Sequence, residues 1–229
     1  MPNETVEDDA EIMNFFDKYS YDTFPSRYLK NLEIPAWDCR EALEEEPVLH
    51  MSDKDVSDDD AVALGRAMAI LKPEQLKSLY MTRNHLTDKG CAALAVGCAA
   101  CPNFELLYLQ QNKIGDEGLI AISHAMSKTK TEVLVLTENL LTDVGVKALA
   151  QAVAKGDCFL NIKSIYLDGH PGITDEGVCA LAKVLHCLPK LEILALQRCG
   201  FGDKGMYALA SAIGKGDTFT KPGTENWLS

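Results

Sequence analysis

Short alternations of apolar and outward residues recur along this chain, each followed at a fixed distance by a run with helical spacing. The alternating pairs are Leu49/Met51, Leu79/Met81, Leu107/Leu109, Leu134/Leu136, Ile165/Leu167 and Leu194/Leu196. Period two over so few residues predicts short half-buried strands. A phrase of ten residues closes each unit: LTDKGCAALA at Leu86 returns as IGDEGLIAIS at Ile114, LTDVGVKALA at Leu141, ITDEGVCALA at Ile173 and FGDKGMYALA at Phe201. A worn first copy, VSDDDAVALG, begins at Val56. Its aspartates, Asp58, Asp88, Asp116, Asp143, Asp175 and Asp203, lie 30, 28, 27, 32 and 28 residues apart. A period near 29 selects an α/β solenoid.

The aspartate stands where a helix N-cap is wanted, its carboxylate accepting free backbone N–H groups. Counted from the position two places later, a glycine in all but the first copy, the third residue is always alanine: Ala63, Ala93, Ala121, Ala148, Ala180 and Ala208. The fourth is Leu or Ile, and the eighth is Met68, Cys98, Met126, Val153, Leu185 or Ile213. These offsets form one helical stripe, predicted to face inward with the alanines allowing close stacking on the sheet. No unit buries both its faces alone, so neighbours must stack. Strands then line up in parallel on one side and helices on the other. A helix is wider than the roughly 4.8 Å strand spacing, so the stack curves with its strands on the concave wall.

The pattern LxxLxLxxN followed by LxDxGxxxLA, as in Leu76 to Ala95, resembles the ribonuclease-inhibitor type of leucine-rich repeat. The likeness runs over residues 48–217 and implies a leucine-rich repeat solenoid of about six repeats. Residues 1–47 then form an acidic N-terminal cap and 218–229 a C-terminal tail. The resemblance implies a structural asparagine ladder at Asn84, Asn112 and Asn139. Two later units depart from it: Cys199 holds the slot in the last, and the fourth reads DGHPG from Asp168 to Gly172, one residue longer. A bulge is expected there, with extra residues also near Lys155 to Ile162. Proteins of this type act mainly by binding other proteins, among them enzyme inhibitors, Ran GTPase activators and tropomodulins.

The chain ends bear on capping. Glu7 to Tyr28, with Ile12, Met13, Phe15 and Phe16 clustered, predicts an amphipathic helix, then an irregular segment with Pro25, Pro35 and Trp37, read as a cap over the first repeat with a partner-binding arm as the alternative. Lys215 to Phe219 copies Lys155 to Phe159, and Trp227 and Leu228 are candidates to fold over the last helix.

Charge changes the picture in one respect. The net −12 comes from residues 1–60, which hold 18 acids and 5 bases. An acidic front on a near-neutral body argues against nucleic-acid binding and suits a protein partner with a basic surface. No apolar run reaches the roughly 20 residues of a membrane span, and the acidic start does not resemble a secretion signal. The expected setting is cytoplasmic, with a monomeric protein that binds no membrane.

Candidate chemistry is sparse. Cys98 and Cys101 form a lone CxxC, but Cys98 occupies the inward helix slot, so packing is the expected role; no second pair completes a zinc site. The histidines His50, His85, His124, His170 and His186 are expected at the surface or edges. Asp53 to Asp60 mimics a calcium loop, yet its sixth position is Asp58 and its twelfth Leu64. It reads instead as a solvated cluster at a helix start. No phosphate loop appears, and no metal, cofactor or catalytic residue is expected.

The concave wall remains. Outward strand positions stack Tyr80, Tyr108, Val135 and Tyr166 into one stripe. With Arg83, Gln110, Gln111, Glu138, Asp168, Gln197 and Arg198, the three tyrosines form the candidate partner-binding face of a non-enzymatic interaction module. An enzyme regulator of the GTPase-activator or inhibitor kind, and a structural subunit of a cytoskeletal or ciliary assembly, are the rival readings.

Overall fold

The computed structural model describes residues 5–20, 24–25, 33–34, 38–126, 129–156 and 159–214. The N-terminal part holds α1 (Ala10–Tyr19), an antiparallel pair β1 (Phe24–Pro25) and β2 (Glu33–Ile34), and α2 (Cys39–Glu45). Six units of strand and helix follow. They are β3 (Val48–His50) with α3 (Asp58–Leu71), β4 (Ser78–Tyr80) with α4 (Asp88–Ala100), and β5 (Leu106–Tyr108) with α5 (Asp116–Ala125). Then come β6 (Val133–Val135) with α6 (Asp143–Ala154), β7 (Ser164–Tyr166) with α7 (Asp175–Val184), and β8 (Ile193–Ala195) with α8 (Asp203–Ile213). Strands β3 to β8 form one parallel sheet in sequence order. Each predicted strand residue sits in register: Leu49, Leu79, Leu107, Leu134, Ile165 and Leu194 are paired in turn and all are buried.

The core lies between this sheet and the helices. The third-slot alanines are not at its centre: Ala63 is buried, but Ala93, Ala121, Ala148, Ala180 and Ala208 are half-buried. The deep slots come one, four and eight residues after the glycine, as in Cys91, Leu94 and Cys98 or Val146, Leu149 and Val153. The alanines flank this stripe at the seams between helices. There the packing is tight enough that a Cβ on Gly65 would lie 2.4 Å from the Ala93 carbonyl oxygen.

The repeat aspartates do not cap their own helices. The N-cap is the residue before, with Ser57, Thr87, Thr142 and Thr174 bonding the first turn through their hydroxyls. The first five instead reach the following repeat. Asp58 accepts from the Thr87 amide (2.8 Å), the Thr87 hydroxyl (2.5 Å) and the Gly90 amide (3.0 Å). Asp143 does the same with Thr174 and Gly177 (2.8, 2.5 and 2.8 Å). Asp88 takes the amides of Gly115 and Gly118, and Asp175 those of Gly202 and Gly205. Partial burial works to raise the Asp143 carboxyl, but the Thr174 and Gly177 donors hold it below the usual carboxylate range. The glycine follows from this contact: a Cβ at Gly145 would fall 2.6 Å from Asp116 Oδ1 and 3.0 Å from Asp116 Cα.

On the turn after each strand, Asn84, Asn112 and Asn139 form the predicted ladder. Asn112 donates to the Met81 and Leu109 carbonyls (2.9 and 3.0 Å) and accepts from the Leu86 amide (3.1 Å). His170, expected at the surface, is 1% exposed and continues this ladder. Its Nε2 accepts from the Asn139 amide (3.1 Å), leaving Nδ1–H to donate to the Leu167 carbonyl (2.9 Å). The extra residue in DGHPG lets an imidazole span the distance that an amide spans elsewhere. Cys199 completes the row, its thiol 3.2 Å from the Leu167 oxygen.

The N-terminal helix ends at Tyr19 and buries Ile12, Phe15, Phe16 and Tyr19, while Met13 is only partly buried. It packs on α3. Asp60 receives Lys18 Nζ (2.7 Å) and the Tyr19 hydroxyl (3.0 Å) and closes a capping box with Ser57; Arg66 pairs with Asp9 and Glu11. Asp53 and Asp59 pair with Arg83 and Lys89. The acidic run is thus a capping cluster whose Asp55 and Asp59 carboxylates stay exposed, while Asp53, Asp58 and Asp60 tie it to neighbouring elements. In the connector with extra residues, Gly156 and Phe159 adopt φ of 72° and 57°, and Phe159 is buried. Pro35, Trp37, Cys158 and residues 215–229, with Trp227 and Leu228, lie outside the described residues.

Two outcomes test these ties. Gly145→Ala, which on an exposed helix would stabilise by up to about 1 kcal/mol, should here cost about 1–3 kcal/mol through overpacking on Asp116; urea unfolding that shows a gain would refute the contact. His170→Ala should lose about 1–3 kcal/mol at pH 8 by orphaning two backbone groups. Burial, opposed by the Leu167 carbonyl, Asp168 and Asp116, holds His170 below the ordinary value near 6.5. Beneath 6.5 the unfolded chain takes a proton that the folded chain refuses, so the stability this group contributes is full above that pH and declines below it. The difference in Tm between parent and variant should therefore shrink from pH 8 to pH 5, and a constant difference would exclude a neutral ladder imidazole.

Candidate partner-binding face

Adjacent strands are roughly 4.8 Å apart, whereas packed helices need about 10 Å, so the sheet forms the inner face of the stack. The last residue of each strand points into it. Register aligns His50, Tyr80, Tyr108, Val135, Tyr166 and Ala195 in one row. Tyr80 and Tyr108 stack with ring centroids 4.3 Å apart and planes at 9°, and His50 extends the stack at 4.8 Å and 23°. Burial, and then the neighbouring Tyr80, raises the Tyr108 hydroxyl above its ordinary pKa. Val135, expected to face outward, is only 7% exposed.

A second row, not singled out from the sequence, begins each strand: Val48, Ser78, Leu106, Val133, Ser164 and Ile193. Leu106 and Val133 are half-buried and Ile193 is 37% exposed. These residues follow no shared letter, so repetition could not flag them; two-residue alternation around the strand centre would have. Together the rows make a floor two residues wide, apolar except for His50 at its edge and the buried Ser78 and Ser164.

Polar rims border it. One is set by the residue before each strand, with Lys77 3.9 Å from Glu105 and Lys163 2.6 Å from Glu132. The other follows the strands, where the chain turns toward the ladder. There Asp53, Arg83, Gln111, Glu138 and Arg198 all hold φ between 54° and 58°, and Gly169 holds 78°. L-residues pay about 1–2 kcal/mol for this left-handed conformation, so the turn is imposed by the ladder and not chosen by the residue.

Most of the predicted charges on this rim meet one another. Arg83 grips Asp53 through two bonds (2.5 and 2.6 Å). Glu138 accepts from Gln111 and from Arg198, both at 2.7 Å, and these donors hold its carboxyl below the usual range. Arg198 reaches across a whole repeat because Gly169 stands between; a Cβ there would lie 2.8 Å from Glu138 Cγ. Asp168 accepts from the Gln197 amide (2.7 Å) and the Thr137 hydroxyl (3.4 Å). Gln110 is half-buried, while the Gln197 side chain is exposed.

The cysteines stand apart from this face. Cys98 and Cys101 are buried, which pushes the Cys98 thiol well up and Cys101 to about 12. Neither supplies a thiolate near neutral pH. Among the described residues, no group of three or more His, Cys, Asp or Glu side chains is placed to hold a metal ion.

Comparison with known proteins agrees with this geometry. The leucine-rich repeat family model matches residues 75–95, 100–123 and 187–210. RAN GTPase-activating protein 2 of Arabidopsis thaliana is 27% identical over 138 residues, 59% of this chain and 24% of that protein. The mouse capping protein, Arp2/3 and myosin-I linker protein 3 is 30% identical over 139 residues, 59% of this chain and 10% of that protein. The chain thus spans about a quarter and a tenth of these relatives. The tropomodulin C-terminal domain of Caenorhabditis elegans superimposes with a TM-score of 0.51 at 14% identity, over 68% of this chain and 92% of that domain. With six stacked units of strand, turn and helix, three of them carrying the asparagine, the chain folds as a leucine-rich repeat solenoid and carries leucine-rich repeats over the matched residues.

Proposed function

We propose that this protein is a non-enzymatic interaction module that holds a protein partner on the inner face of its strands. The observation that carries this reading is the apolar floor, with Tyr80, Leu106, Tyr108, Val133 and Tyr166 half-buried between rims of paired charge. Such a centre with a polar border is the anatomy of binding interfaces, where tyrosine and arginine dominate the energetics. The working unit is residues 48–217, with 1–47 as its cap and 218–229 as a tail. The acidic first quarter favours a partner with a basic surface, met by a monomer in the cytoplasm, where the seven described thiols stay reduced.

A second reading, regulation of a GTPase, draws on the 27% identity to a plant RAN GTPase-activating protein. Hydrolysis of GTP by Ran, timed with and without the protein, decides it: an unchanged rate discards that version.

For the leading reading, the partner is recovered from native cells, identified by mass spectrometry and titrated by calorimetry. Replacing Tyr80, Tyr108 and Tyr166 together with alanine should weaken it by several kcal/mol, at least about 2 for a central anchor. Affinity unchanged in a variant that still unfolds cooperatively would remove the inner face from the account.

A further inference from the structure

We infer that the segment seated on the inner face is an amphipathic α-helix lying across the strands, with lysine or arginine flanking its apolar stripe. This rests on the reading above and specifies its partner.

The first argument is spacing. Floor residues of successive repeats are separated by roughly 4.8 Å, and one turn of α-helix rises about 5.4 Å. A helix laid along the stack therefore delivers one apolar side chain per repeat and drifts by only about 0.6 Å each time. From Tyr80 to Ala195 there are four such intervals, about 19 Å, or 13 residues of helix. An extended segment places same-face side chains about 6.6 Å apart and falls out of step within two repeats. Width agrees. From the Lys77 rim to the Thr82 row is five residues, about 16 Å of strand-like chain, and a helix with its side chains is about 10–12 Å across.

The second argument is charge. Over the three central repeats the rims carry Glu105 and Glu132 on one side and Glu138 and Asp168 on the other, against Lys163, paired with Glu132, and Arg198, which reaches in to pair with Glu138. Glu105 has only a 3.9 Å contact with Lys77. The middle of the groove thus keeps an acidic excess on each border, at Glu105 and at Asp168, and a helix with cations beside its central turns is complementary to it.

Two phage-displayed libraries of 16-residue peptides, selected against the full chain, provide the test. One has apolar residues at positions 2, 5, 9, 12 and 16 with Lys and Arg allowed beside them; the other alternates apolar and polar. The inference expects binders from the first library that gain helical circular dichroism on binding. They should bind at least tenfold more weakly to Tyr108→Ala and to the pair Glu105→Gln/Glu132→Gln, both checked for an unchanged Tm. Binders arising only from the alternating library, yet weakened by Tyr108→Ala, overturn the helix and leave the inner face standing. Binders from either library that ignore Tyr108→Ala overturn the inner-face reading itself, and a helical library that yields none overturns the inference.

Discussion

Each repeat of this protein leaves backbone donors and acceptors that only its neighbour can satisfy. The start of every helix offers amides that its own short sequence does not cover, and the turn after every strand leaves carbonyls pointing at the core. An aspartate from the preceding repeat takes the first set, as Asp58 does for Thr87 and Gly90. A ladder side chain takes the second, as Asn112 does for Met81 and Leu109. A buried group left without such a partner costs about 1–3 kcal/mol. Stability is therefore a property of adjacent pairs, and the sequence period is held near 29 because both contacts must close at once.

That constraint shapes the binding face. To bring an asparagine under the strand ends, the chain must pass through a left-handed residue, and five of the six such residues bear side chains. Their side chains emerge along one rim, where Arg83 with Asp53 and Glu138 with Arg198 form pairs. The one glycine in the row, Gly169, opens the space through which Arg198 spans to Glu138. Backbone strain, ladder and rim charge are thus three views of the same turn.

Whatever recurred as a letter was legible in the sequence: strand centres, the asparagine ladder, the glycine in five of the six repeat helices and the alignment of Tyr80, Tyr108, Val135 and Tyr166. What depended on a partner in the next repeat was not. The aspartates read as caps because a carboxylate near a helix start usually serves its own helix, and nothing local shows that Gly90 backs onto Asp58 from 32 residues away. His170 misled for the opposite reason. Its letter differs, while its hydrogen bonds perform the ladder's task across a loop one residue longer. The floor residues Leu106 and Val133 did not stand out, because their row varies from Val48 and Ile193 to Ser78 and Ser164 and repeats no letter throughout.

The charges that looked most available for a partner are the ones most engaged with each other. An Arg83 bonded twice to Asp53 gains little from a second carboxylate, since forming a new pair means breaking an existing one in water-exposed surroundings where such pairs contribute about 0–1 kcal/mol. The unspent free energy lies in the floor, where each square ångström of apolar surface removed from water contributes roughly 25 cal/mol. The floor also cannot adjust, because both rims and both ladders fix its backbone. A ligand must then supply the shape, and its rim contacts decide orientation and selectivity while the tyrosines and aliphatic residues supply the hold.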